Sequence, residues 1–144
     1  MHILFLCVGN SARSQIAEGL AKHMLPNSFN IKSAGSNPTG KINKYAKSVM
    51  GEIGIDISDQ SSKSIDDLDK NFLRNLDCVI TLCAEEICPI IEKEVKIYNW
   101  ALEDPANQEN SKLDISNVFR KTRYDIFNLI KKFYLENSLE SNEH

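Results

Sequence analysis

The chain has 144 residues, 42% of them apolar and 26% charged, with a net charge of −3. That length suits one domain able to bury a core unaided, and an acidic balance without a basic stripe argues against a nucleic-acid partner. No apolar run reaches the ~20 residues of a membrane span and the apolar N-terminus lacks a basic leader, so a cytoplasmic protein with no membrane partner is expected.

Met1 to Val8 is a nearly continuous apolar run, the pattern of a strand buried on both faces. Ile16, Leu20 and Met24 then recur at helical spacing, and Pro26-Asn27 closes that helix. Phe29 to Ser33 reads as a second strand, broken by Ala34-Gly35 and the turn residues Ser36 to Gly40. Tyr45, Ala46, Val49, Met50 and Ile53 mark one helical face, with Gly54 as its stop. Ser58 to Asp69 is polar, with a short helical turn near Ser64. Asp77 to Cys83 and Val95 to Trp100 read as strands three and four. Ile115, Val118, Phe119, Ile126, Phe127, Ile130 and Phe133 give a last helix its buried stripe, and Glu136 to His144 reads as a frayed polar tail.

Strands alternating with helices predict a three-layer α/β fold: a four-stranded parallel sheet with helices on both faces, in a single catalytic domain over 1–144. Such sheets bind ligands at the carboxyl ends of their strands. Cys7 closes the first strand and Cys83 the third, at the same edge.

Between the first strand and the first helix lies Cys7-Val8-Gly9-Asn10-Ser11-Ala12-Arg13-Ser14. A tight loop feeding a helix N-terminus gathers backbone N–H groups and a partial positive charge around an anion. Arg13 adds a planar fork for two oxygens of a tetrahedral oxyanion. A cysteine at the bottom of such a bowl is placed to react as a thiolate nucleophile, with Gly9, Asn10, Ser11, Ala12, Arg13 and Ser14 as the anion cradle. Gly9 and Asn10 tolerate the positive φ that the loop needs. Ser14, rather than Ser11, is expected to hydrogen-bond the thiolate. The competing reading, a core cysteine before an ordinary turn, leaves Arg13-Ser14 without a reason. A Walker-type nucleotide loop is absent.

Cys7 to Ser14, followed by Gln15-Ile16-Ala17-Glu18, resembles the active-site loop shared by low-molecular-weight protein tyrosine phosphatases and the arsenate reductases of the same fold. The resemblance continues through Ser33-Ala34-Gly35, Gly54 to Ser58, Val79 to Cys83 and Asp104-Pro105. It implies that Asp104 is the general acid that protonates the departing oxygen, with Pro105 restraining its loop; by itself Asp-Pro is an ordinary turn.

The four cysteines separate the two activities. A phosphatase needs only Cys7, whereas Cys83 and Cys88 suit a thiol–disulfide relay. The resemblance to thioredoxin-coupled arsenate reductases implies Cys7 as nucleophile, Cys83 as first resolving thiol and Cys88 as the thiol that completes the relay. In one regular helix residues 83 and 88 would stand about 8–9 Å apart, more than the roughly 4.4–6.8 Å of a disulfide, so their segment is expected to change shape on oxidation. Ala12 excludes a disulfide inside the loop. Cys78, in mid-strand, reads as a packed core residue, and the spacings do not suit zinc.

The leading expectation is therefore an arsenate reductase, a monomer with no tightly bound cofactor, regenerated by an external thiol reductant such as thioredoxin or glutaredoxin. The alternative is a low-molecular-weight phosphatase acting on phosphomonoesters. The resemblance also implies a structural potassium near the loop, for which Asn10, Glu18, Ser33 and Asp66 are the candidate ligands.

Overall fold

The computed structural model describes residues 1–83, 95–107 and 112–142. Its strands β1 (His2–Cys7), β2 (Asn30–Gly35), β3 (Cys78–Cys83) and β4 (Lys96–Leu102) form one parallel sheet in the order β2-β1-β3-β4. The helices are α1 (Arg13–Met24), α2 (Lys44–Gly51), α3 (Lys70–Arg74) and α4 (Lys112–Asn142), with 3-10 turns at Ile65–Asp67 and Pro105–Asn107. No helix among the described residues is long and apolar enough to cross a membrane.

β1 is central, pairing with β2 from His2–Asn30 to Cys7–Gly35 and with β3 from Ile3–Cys78 to Leu6–Thr81. Its side chains alternate between two unequal layers. Ile3, Phe5 and Cys7 join the larger core with Ile16 and Leu20 of α1, Met50 of α2, and Phe119, Ile126 and Ile130 of α4. Leu4 and Leu6 join Ala34 and Val79 under Leu68, Phe72 and Leu76, a thinner layer built around α3. The three-layer arrangement expected from the alternation of elements is the one observed.

Several features differ from the sequence reading. β2 runs on through Ala34 and Gly35, because Gly35 ends the strand by lying against β1 rather than by turning the chain. A Cβ on Gly35 would stand 2.3 Å from the Val8 carbonyl oxygen, so only glycine permits the approach. α2 stops at Gly51; Ile53 lies beyond it, 45% exposed, and Gly54 (φ 79°) turns the chain so that Ile55 N–H donates to the Met50 carbonyl. Phe127, expected in the buried stripe of the last helix, is 40% exposed beside Tyr124. α4 continues to Asn142 across most of the expected tail, its later turns supported by Asn137 donating to the Phe133 carbonyl (2.8 Å).

The short helix α3 was not legible: five residues give too little periodicity to read. Asp69 caps it by accepting from Asn71 N–H (2.9 Å), and Phe72 anchors it to the sheet.

Candidate active site

Cys7 ends β1, almost wholly buried, and the chain turns at once into the loop before α1. Asn10 makes that turn in the left-handed region (φ 47°); Gly9 does not, and its smallness serves instead to clear Thr39, whose methyl would lie 3.3 Å from a Cβ there. Ala12 caps α1 without a side-chain hydrogen bond, and no acidic residue occupies the first turn. The amides of that turn are therefore not taken by a cap or a carboxylate, which leaves the helix end open to an anion.

Behind the loop runs a continuous polar chain. Ser33 Oγ donates to Glu18 Oε1 (2.5 Å), Asn10 Nδ2 donates to Ser33 Oγ (3.0 Å) and to Ser14 Oγ (2.7 Å), and Ser14 Oγ lies 2.9 Å from Cys7 Sγ. Proton counting orients it: Ser33 uses its proton on the carboxylate and Asn10 uses both amide protons, so the Ser14 proton points at the Cys7 sulfur. Every link is buried. The arrangement presents a hydrogen-bond donor to the Cys7 sulfur.

Arg13 closes the other side. Its Nη1 donates to the carbonyls of Leu102 (2.8 Å) and Leu82 (3.3 Å), and its Nη2 stands 3.9 Å from Asp104 Oδ2. Asp104 is held from its other oxygen by Ala106 N–H (3.0 Å). A cavity of about 330 Å³ lies between them, with Cys7, Val8, Gly9, Ser11, Ala12 and Arg13 below and Asn37, Thr39, Asp104 and Ala106 around the mouth. Cys7, Arg13 and Asp104 are thus brought together as the sequence suggested. Among the described residues no aromatic ring lines this cavity; Trp100 packs inward against Phe5 (6.0 Å) and Phe133 (6.4 Å). The space suits a small tetrahedral oxyanion.

Cys83 ends β3 at the same sheet edge, buried like Cys7. A register shift after Thr81 pairs it with Leu102, the residue whose carbonyl holds Arg13. Cys7 and Cys78 are free thiols. Cys88 and its segment lie outside the described residues. Cys78 sits at the start of β3 in the core, and burial, reinforced by the Asp77 carboxylate, pushes its thiol up to about 12. It is chemically quiet. Among the described residues no cluster of three His, Cys, Asp or Glu side chains could hold a metal ion.

The candidate potassium ligands behave differently from expectation. Asn10, Glu18 and Ser33 do converge, but their oxygens are already engaged. Glu18 Oε2 accepts from Lys22 Nζ (2.6 Å), Glu18 Oε1 faces Lys63 Nζ (3.8 Å) as well as Ser33, and Asn10 Oδ1 accepts from Lys63 N–H (2.9 Å) and Gln15 Nε2 (3.0 Å). Asp66 is exposed on the 3-10 turn, outside this network. Two ammonium groups already balance the one carboxylate, and among the described residues no buried side-chain nitrogen or oxygen lacks a hydrogen-bond partner. The set does not fit a bound potassium ion.

Sequence reasoning missed four contributors. Asn37 and Thr39 were read only as turn residues, although a turn following a strand's carboxyl end faces the ligand edge. Gln15 fixes the loop from behind, donating to the Asn10 and Ser61 carbonyls (both 2.9 Å). Lys63, in a polar stretch without periodicity, gave no signal.

The chain matches the family model described as low molecular weight phosphotyrosine protein phosphatase over residues 2–143. It is 44% identical over 133 residues to an arsenate reductase of Shouchella clausii, covering 91% of this chain and 93% of that one. Among solved structures it resembles an arsenate reductase in the phosphate-binding state (TM-score 0.76, 30% identity, 93% of this chain and 96% of that one). It also resembles a thioredoxin-dependent arsenate reductase of Corynebacterium glutamicum (TM-score 0.66, 30% identity, 93% of this chain and 62% of that one). A cysteine-bearing loop between β1 and α1, an arginine closing it and an Asp-Pro pair above it lead to the same assignment as these comparisons: the chain belongs to the low molecular weight phosphotyrosine protein phosphatase family.

Proposed function

We propose that this protein is an arsenate reductase, with Cys7, Arg13, Cys83, Cys88 and Asp104 carrying the reaction. The Cys7 thiolate attacks arsenic in a bound arsenate held by the loop amides and Arg13. A sulfur–arsenic bond forms, and one oxygen leaves as water after taking protons, one of them from Asp104. The Cys83 thiolate then attacks the Cys7 sulfur; the sulfur–arsenic bond breaks, its electron pair stays on arsenic, and arsenite departs. Cys88 displaces Cys7 from the Cys7–Cys83 disulfide, and an external dithiol protein of the thioredoxin type reduces the Cys83–Cys88 bridge. Two thiols are oxidised for each arsenic reduced from +5 to +3. The protein is read as a cytoplasmic monomer with one catalytic domain.

The observation that carries this reading is the position of Cys83, a second buried thiol at the carboxyl edge of the strand beside β1. Phosphomonoester hydrolysis at the same loop would have no use for it. Assays of arsenate turnover with thioredoxin, with glutaredoxin and glutathione, and with neither test the reading, alongside Cys83→Ser and Cys88→Ser. Either variant should lose arsenate turnover and keep hydrolysis of an aryl phosphate. Full arsenate turnover in both would remove the relay.

A further inference from the structure

Lys63 makes two contacts behind the loop, from opposite ends of the same residue: one to Asn10 of the loop and one to Glu18 of α1. Its backbone N–H donates to Asn10 Oδ1 (2.9 Å), and its ammonium stands 3.8 Å from Glu18 Oε1. The first contact fixes which way the Asn10 amide faces. With Oδ1 held by Lys63 and Gln15, Nδ2 must point at Ser33 and Ser14. The second contact sets the charge at the far end of the chain. Glu18 is nearly fully buried, where a carboxylate is costly unless a cation and hydrogen bonds accompany it. Ser33 gives its proton to Glu18, and that contact sets the order of donors leading to Cys7.

Lys22 also meets Glu18, but its side chain is 50% exposed, so solvent screens it and competes for it. The Lys63 side chain is 19% exposed and its ammonium is further tied by the Ser61 carbonyl (2.9 Å). Burial, with Lys22 and Lys32 nearby, pulls the Lys63 ammonium below its ordinary range, and the Glu18 carboxylate opposes that shift.

We propose that the Lys63 ammonium is the resident cation of this oxyanion loop: it neutralises Glu18 and, through Ser33, Asn10 and Ser14, keeps a proton aimed at Cys7, so that the nucleophile is held ready without potassium. Lys63 is a positioning residue, since it touches neither the cavity nor the sulfur. The inference rests on the reading of Cys7 as the nucleophile.

The test compares the unmodified protein with Lys63→Met, which keeps the stem and removes the charge, and Lys63→Arg, which keeps the charge. Two rates are measured at pH 7: arsenate turnover, and alkylation of Cys7 by iodoacetamide followed by mass spectrometry of its peptide. Both are run in potassium chloride and in tetramethylammonium chloride at equal ionic strength. The unmodified protein and Lys63→Arg should be indifferent to the salt. Lys63→Met should lose about tenfold in both rates in tetramethylammonium, and potassium entering the vacated position should restore most of that loss. Stimulation of the unmodified protein by potassium, or a Lys63→Met variant as reactive as the parent in both salts, would overturn the proposal. If the unmodified protein turns over no arsenate at all, the functional reading fails, and the alkylation contrast still decides the role of Lys63. A Lys63→Met variant that does not fold leaves the salt response of the unmodified protein and of Lys63→Arg to decide it.

Discussion

Gly35→Ala adds one methyl where the structure has least room. The new carbon would lie 2.3 Å from the Val8 carbonyl oxygen, 2.9 Å from the Cys7 carbonyl oxygen and 3.0 Å from the Val8 carbonyl carbon. All three are backbone atoms, so no side chain can swing away, and either β2 or the Cys7–Val8 peptide must move by about 1 Å to reach ordinary contact. Overpacking of this kind costs about 1–3 kcal/mol, or roughly 3–10 °C in melting temperature for a chain of this size. The displaced peptide carries Cys7, the proposed nucleophile, and a misplacement of about 1 Å costs on the order of a hundredfold in rate. Gly51→Ala makes the same chemical change at the last residue of α2, where a Cβ meets nothing within 4 Å. Alanine favours helix by up to about 1 kcal/mol, so this variant should melt at or slightly above the parent temperature with full activity. Differential scanning calorimetry and initial rates on both proteins are the assay. Equal behaviour of the two variants, or a fully active Gly35→Ala protein melting within about 1 °C of the parent, would refute the argument from close approach.

Two further outcomes are expected. Arg13→Lys should raise KM for arsenate about 10–100-fold with a smaller effect on folding, because an ammonium cannot hold two strand-end carbonyls and still present a two-pronged contact to the anion; an unchanged KM would mean that Arg13 does not face the substrate. Hydrogen bonds from Arg120, with Arg123 assisting, hold the Glu52 carboxyl down at about 2 against an ordinary 4.5. A lowered carboxylate stabilises the fold at pH above the ordinary value and loses that contribution as pH falls from about 4.5 toward 2, so Glu52→Gln should narrow the difference in melting temperature between pH 7 and pH 3, and an unaltered difference would count against the pairing of α2 with α4.

What the sequence made legible was whatever a short window of residues carries by itself. The apolar run ending at Cys7 and the spacing of Ile16, Leu20 and Met24 set β1 and α1, hence the loop between them. Cys83 followed from an equally plain strand. Gly35 was misjudged because a glycine at a strand end looks the same whether the chain turns there or lies close to a neighbour, and only the third dimension distinguishes them. Phe127 was placed inside because it falls at helical spacing from Phe119 and Ile130, yet α1 and α2 cover only part of that face of α4. Lys63 was invisible for a related reason. Its partners, Asn10 and Glu18, are 53 and 45 positions away, and nothing in its own stretch marks it as different from a solvated lysine.

The unequal thickness of the two layers bears on how the site can fail. The Cys7 sulfur belongs to the larger core, but the stretch that backs its loop, tied to β2 by Gly35 N–H donating to the Lys63 carbonyl (2.9 Å), runs on into the thinner layer of Leu68, Phe72 and Leu76. Partial opening of that sparse side releases the loop's backing while the bulk of the molecule stays folded. Loss of catalytic competence on warming is therefore set by the weaker of two independent aprons, and it precedes the collapse of the whole.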